Sequence, residues 1–217
     1  MWERLMELII LAPAILFALA IHECAHGLVA DRLGDPTPRN AGRLTLNPLR
    51  HLDPIGTIML FLVRVGWARP VPVNPGYFDN PKAGMIWVSL AGPVANMTGA
   101  LSCGLLIRLL EPATSRLDIR IIAVLVAILA WGMIINLILA AFNLLPLPPL
   151  DGSKILLGVL PAGGERFYEK LKRWGPLLLL ALVLVGRSLL WGYIFPFVRF
   201  FSFIFAGQQF SHFLGTS

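Results

Sequence analysis

Acidic residues are scarce in this chain: 12 Asp and Glu stand among 217 residues, and with 18 Lys and Arg the charged share is only 14%. Soluble domains carry about 25% charged residues, so an ordinary water-soluble fold is excluded. Cysteine is scarcer still. The two present, Cys24 and Cys103, lie inside apolar stretches, which rules out a disulfide framework and leaves the redox compartment unread. Long polar segments are also missing, since the longest, residues 31–53 and 162–175, are loop-sized. One integral membrane domain over residues 1–217 is therefore expected, with a core over about 5–160 and C-terminal hydrophobic helices over 161–217. No basic run with interleaved aromatics accompanies the net charge of +6, so nucleic acid is not an expected partner. The N-terminus has no short apolar stretch with an A-x-A-like cleavage site, and it reads as a retained span.

What is abundant is apolar sequence, 57% of the chain. Residues 5–30, 83–107 and 121–145 are each long enough to cross a bilayer as a helix. Residues 55–63 are apolar but too few to cross, and they read as a re-entrant or interfacial piece. The C-terminal stretch 176–205 carries Arg187 near its middle. An arginine there costs about 2.5–3.5 kcal/mol on insertion scales, so a break is expected near Gly186. Lys and Arg concentrate in residues 31–82 and 144–175 rather than in 111–120. This places the first two of those regions in the cytoplasm and the N-terminus on the opposite side.

His22-Glu23-Cys24-Ala25-His26 is an H-E-x-x-H motif inside the first apolar segment. A spacing of four puts both imidazoles on one helix face, where they can share a zinc ion, and leaves Glu23 beside them to activate water. A lone histidine in a span is usually a buried, satisfied residue. Three ionisable groups within little more than one turn are too costly in hydrocarbon for that explanation. Cys24 falls on a different face and reads as packing.

Tetrahedral zinc with one open position needs a third protein ligand. Asp151 is the only acid between Asp118 and Glu165 and follows the proline-rich run Pro146-Leu147-Pro148-Pro149-Leu150. Irregular backbone at membrane depth is tolerated where it lines a wet cavity, which suits a ligand. Helix capping by Asp151 is an equally good account at this level. Further upstream, Pro70 and Pro72 remove donors from one edge of an extended strand, leaving those of Val71 and Val73 on the other. The stretch is either a rigid turn or a one-sided strand, partnered by residues 58–62, that clamps an unwound polypeptide near the metal.

Together these motifs resemble the site-2 proteases, the zinc-dependent intramembrane metalloproteases, in a compact form without PDZ or CBS domains. The resemblance runs through His22-Glu23-x-x-His26-Gly27, Arg32-Leu33-Gly34-Asp35, residues 42–48, residues 66–75, Ala91-Gly92-Pro93-x-x-Asn96 and residues 143–152. It implies an all-α polytopic membrane protein with a three-helix catalytic core, a short re-entrant or β-hairpin segment, and peptide hydrolysis within the bilayer. It also implies one zinc per chain held by His22, His26 and Asp151, Glu23 as general base, and Asn143 as a group that stabilises the oxyanion or holds the substrate backbone. The implied partners are the lipid bilayer and membrane proteins with a transmembrane segment, reached from the cytoplasmic side. A non-catalytic binder of the same fold would not need Glu23. A metal or proton transporter would not need the H-E-x-x-H spacing.

Overall fold

The computed structural model describes residues 2–56, 68–110, 119–161 and 163–207. Among them the long elements are all helical: α1 (Trp2–Arg32), α2 (Pro81–Leu110), α3 (Ile119–Asn143), α4 (Asp151–Val159), α5 (Glu165–Leu184) and α6 (Arg187–Ala206). Among the described residues four helices are long and apolar enough to cross a membrane: Leu11–Arg32 within α1, α2, Ile122–Asn143 within α3, and α6. The chain is thus an all-α polytopic membrane protein. The expected re-entrant or hairpin segment falls mostly outside the described residues. Within them, one isolated antiparallel bridge joins Leu52 to Ala68.

Helix ends follow the punctuation in the sequence. The third span was expected to run to residue 145 but stops at Asn143, because Pro146 disfavours helical backbone just before it. In the C-terminal stretch α5 ends at Leu184 and α6 begins at Arg187, so the expected break near Gly186 is present. The break moves Arg187 from the middle of an apolar helix to a helix end. Of the two C-terminal helices, α6 alone meets the length and composition of a span.

Hydrocarbon offers no hydrophobic drive between helices, so their association depends on close packing and interhelical hydrogen bonds. Small residues serve the first need here. Ala18, Ala20, Ala100, Ala130 and Ala140 are fully buried. At Gly104 a Cβ would lie 2.6 Å from the Cβ of Phe205, so glycine is what lets α6 lie against α2. Met133 and Leu137 of α3 pack with Leu190, Ile194 and Val198 of α6 in one core cluster. α5 carries Arg166, Lys170, Lys172 and Arg173 exposed in its first half and touches the proline-rich run. A Cβ on Gly175 would fall 2.6 Å from the Pro148 carbonyl.

The polar segment after α1 is folded tightly over the end of that helix. Gly34 takes a φ of 101°, a conformation that favours glycine, and turns the chain. Asp35 is then fully buried. Its Oδ1 accepts the Thr37 N–H at 2.9 Å and its Oδ2 accepts the Asn74 N–H at 2.7 Å, tying this loop to the proline-rich segment 70–75. Burial raises the Asp35 carboxyl, but the bonds from Thr37 and Asn74 outweigh it and hold the group below the usual carboxylate range.

A depressed carboxyl stabilises the fold above its unfolded pKa of about 3.9 and loses that contribution as pH falls through the folded value. Asp35→Asn should therefore lower stability by about 1–3 kcal/mol at neutral pH, one oxygen having become a donor facing an N–H. Thermal unfolding in detergent should show the gap between variant and wild type constant from pH 5 to 8 and narrowing below about pH 3.9.

Candidate metal centre

His22 and His26 lie one turn apart on α1 and both are buried. Their rings meet edge to face with centroids 4.6 Å apart, and their Nε2 atoms are 3.0 Å from each other. Asp151 comes from the far end of the core, yet its Oδ2 lies 3.1 Å from His22 Nε2 and 3.0 Å from His26 Nε2. These donor atoms all lie within 4.8 Å of one another, a group that could hold a metal ion. Asp151 is not a helix cap: Leu150 occupies the cap position of α4 and no side chain caps it. The proline-rich run instead delivers Asp151 as the first helical residue, where a carboxylate is favoured by the helix dipole. Its Oδ1 accepts from Lys154 Nζ at 3.2 Å.

The outer nitrogens of both rings are committed, and this decides what the inner ones can do. Asn96 on α2 donates through Nδ2 to the Ala18 carbonyl at 3.0 Å and to Asn136 Oδ1 at 2.8 Å, which leaves Asn96 Oδ1 as an acceptor. His22 Nδ1, 2.6 Å away, must then be the donor. His26 Nδ1 likewise donates to the Val88 carbonyl at 2.6 Å. In the neutral rings both Nε2 atoms therefore carry lone pairs, and with the Asp151 carboxylate three lone-pair donors converge in a buried space. Such a set is repulsive unless a cation sits among them. Two imidazoles and a carboxylate are a donor set that zinc takes, with outer-shell partners of the usual kind.

Space for the rings comes from Gly92. A Cβ there would stand 2.5 Å from His22 Cε1 and 2.6 Å from the Nε2 of each histidine. Gly152 is equally constrained, because a Cβ would strike the carbonyls of Leu144 and Leu145.

Glu23 is not one of the three donors and accepts the Val71 N–H on Oε2 at 3.0 Å. Val71 is buried between Pro70 and Pro72, and its N–H is the single donor of that triplet. Of the edge expected to receive an added strand, the Val71 N–H is thus taken up by Glu23. The other expected partner, residues 58–62, lies outside the described residues. Cys24 is buried and stands outside the donor group. Asn143, at the end of α3, donates from Nδ2 to the Leu139 carbonyl at 3.0 Å, one turn back in its own helix, rather than to the donor cluster.

Asn96, Asn136, Gly92 and Lys154 support the site, although none had been assigned a role from the sequence. The available signal was two asparagines in otherwise apolar spans, each of which needs a partner there. Asn96→Ala frees the His22 ring to rotate and change tautomer. It should weaken metal binding by about 10–100-fold in chelator competition, whereas His22→Ala or His26→Ala should abolish stoichiometric binding in elemental analysis.

A family model described as peptidase family M50 matches residues 117–186. The chain is 37% identical over 183 residues to "Putative zinc metalloprotease YwhC" of Bacillus subtilis, covering 83% of this chain and 84% of that protein. It is 34% identical over 175 residues to "Putative zinc metalloprotease Rip2" of Mycobacterium tuberculosis, covering 78% of this chain and 64% of that protein. The Rip2 protein of Mycolicibacterium smegmatis is 31% identical over 198 residues, with 88% of this chain and 72% of that protein aligned. No solved structure matches. With likeness of this extent to relatives matched over most of their length, and a buried His-His-Asp cluster between membrane helices, the chain belongs to peptidase family M50, the site-2 protease family.

Proposed function

We propose that this chain is an intramembrane zinc endopeptidase, built as one unit over residues 1–217 with its catalytic core over about 5–160. The observation that carries the reading is the convergence of three lone-pair donors beside a carboxylate that is not one of them. The names of the relatives point to the same metal.

Nε2 of His22 and His26 and a carboxylate oxygen of Asp151 would hold zinc, which would supply Lewis acidity to lower the pKa of a water towards about 7 and to polarise the scissile carbonyl. Glu23 takes the proton released as water attacks and passes it to the amine that leaves, so the proton balance closes within one side chain. The Val71 N–H keeps one Glu23 oxygen fixed, so the carboxylate does not swing into the metal position. Asn96 and the Val88 carbonyl hold both imidazoles in the tautomer that presents Nε2 inward. Asn143 uses the Nδ2 proton beyond the one given to Leu139 to hold a substrate carbonyl or its oxyanion.

The substrates are membrane proteins with a transmembrane segment, because the site lies between helices that themselves cross the bilayer. His26 lies six residues before the end of α1 at Arg32, about 9 Å along the helix, so the site stands near the basic loop after α1. By its Lys and Arg content that loop is cytoplasmic.

Glu23→Gln should retain about one zinc per chain while cleavage of a reconstituted single-span substrate falls by at least about 10²-fold, the lower range of general base catalysis. Elemental analysis and gel-based turnover measure the two quantities. Undiminished turnover would remove Glu23 from the chemistry, and zinc loss alongside activity would make it a ligand.

A further inference from the structure

Three arginines, Arg43, Arg50 and Arg69, lie on segments that meet next to the one bonded to Glu23, and no carboxylate is ion-paired to any of them among the described residues. Arg43 is buried, only 6% exposed, and its Nη1 donates to the main-chain carbonyl of Arg50. Arg69 arrives from the other side: its N–H donates to the His51 carbonyl at 2.8 Å, next to the bridge between Leu52 and Ala68. Two residues further on, the Val71 N–H reaches Glu23. Burial pushes the Arg43 guanidinium below its ordinary value, Arg69 and Arg50 push the same way, and Glu23 pulls it back, so Arg43 stands within electrostatic reach of all three.

The acids nearby are committed elsewhere. Asp31 pairs with Arg39 at 2.6 Å, and both oxygens of Asp35 accept backbone N–H groups. Asp53 accepts the Gly56 N–H at 2.7 Å. Charges that serve only to orient loops stand apart in solvent, as Lys170 and Lys172 do on α5. A buried guanidinium seated on another arginine's carbonyl is a different arrangement. It costs desolvation and like-charge repulsion, and the lone Glu23 charge does not balance three cations.

We infer that Arg43, Arg50 and Arg69 form an anion-binding subsite at the mouth of the metal centre, one that takes the acidic side chains of a polypeptide lying across Glu23. Calling that polypeptide a substrate, with acidic residues flanking the bond to be cut, rests on the protease reading. Guanidinium forks accept carboxylates in a two-pronged fit, and they bind planar anions better than ammonium groups do. A polypeptide is favoured over a lipid headgroup because Arg43 is buried and its segment meets the one whose Val71 N–H bonds Glu23, a place that side chains of an extended chain enter more readily than a headgroup held in a lipid surface.

Binding is tested without turnover, using zinc-loaded Glu23→Gln protein in neutral detergent and fluorescent oligopeptides of glutamate, glutamine and lysine. The glutamate peptide should bind at least about tenfold tighter than the glutamine peptide, and added salt should erode the difference. Arg50 and Arg69 are exposed, so Arg50→Glu/Arg69→Glu should fold, as zinc content and helical circular dichroism will report. In that variant the preference should invert towards the lysine peptide, while Lys170→Glu/Lys172→Glu should leave it unchanged. Equal binding of glutamate and glutamine peptides, or a preference that survives the arginine reversal, overturns the subsite. So does an equal loss in the lysine variant, which would be an effect of net charge. Phosphatidylglycerol vesicles captured with the same arginine dependence, in the absence of peptide binding, would make this a lipid site and overturn it as well. Failure of the wild type to cleave any single-span substrate would sink the protease reading alone, because peptide binding is measured separately.

Discussion

The cost of bringing three electron-rich atoms together inside a membrane domain governs much of what surrounds them. Two imidazole nitrogens 3.0 Å apart and a carboxylate at the same distance would separate if left to themselves. Each is held from behind: His22 by Asn96, His26 by a main-chain carbonyl, and Asp151 by its place at the start of a helix beside Lys154. Gly92 leaves the space for the rings, and Asn136 steadies Asn96. The helices are thus packed around an electrostatic problem whose solution is a bound cation.

Much of this was legible in the residues. H-E-x-x-H specifies a helix face, and the alternative it faces in hydrocarbon is severe, so the pairing of His22 and His26 in one buried cluster could be expected from spacing alone. The spans were legible too, because length and apolarity leave few other options. The break near Gly186 followed from the cost of placing Arg187 in mid-helix. Asp151 was ambiguous for a physical reason: an aspartate before a helix caps it in most settings, and whether its side chain turns back or reaches across depends on what lies opposite. Here two imidazoles lie opposite, 125 or more residues away along the chain.

The outer support was hidden for a related reason. Asn96 and Asn136 are paired only once α2 and α3 lie side by side, and no local pattern announces that contact. The proline-flanked Val71 shows the limit more sharply. Alternation correctly identified an N–H held apart from its neighbours, but alternation is silent about the occupant. Glu23 takes the Val71 N–H, a tertiary fact with no signature in the local sequence.

The distance along the chain between the metal donors has a consequence for the birth of the molecule. His22 emerges early and Asp151 is 129 residues later, with two further spans to be inserted between them. Until α4 docks, the early histidines have only each other, and a two-nitrogen site holds zinc weakly and without the geometry of the finished centre. An unfinished chain passing through the membrane therefore lacks the complete donor group. Its order of synthesis withholds the third donor until the helices that confine the cluster have been built.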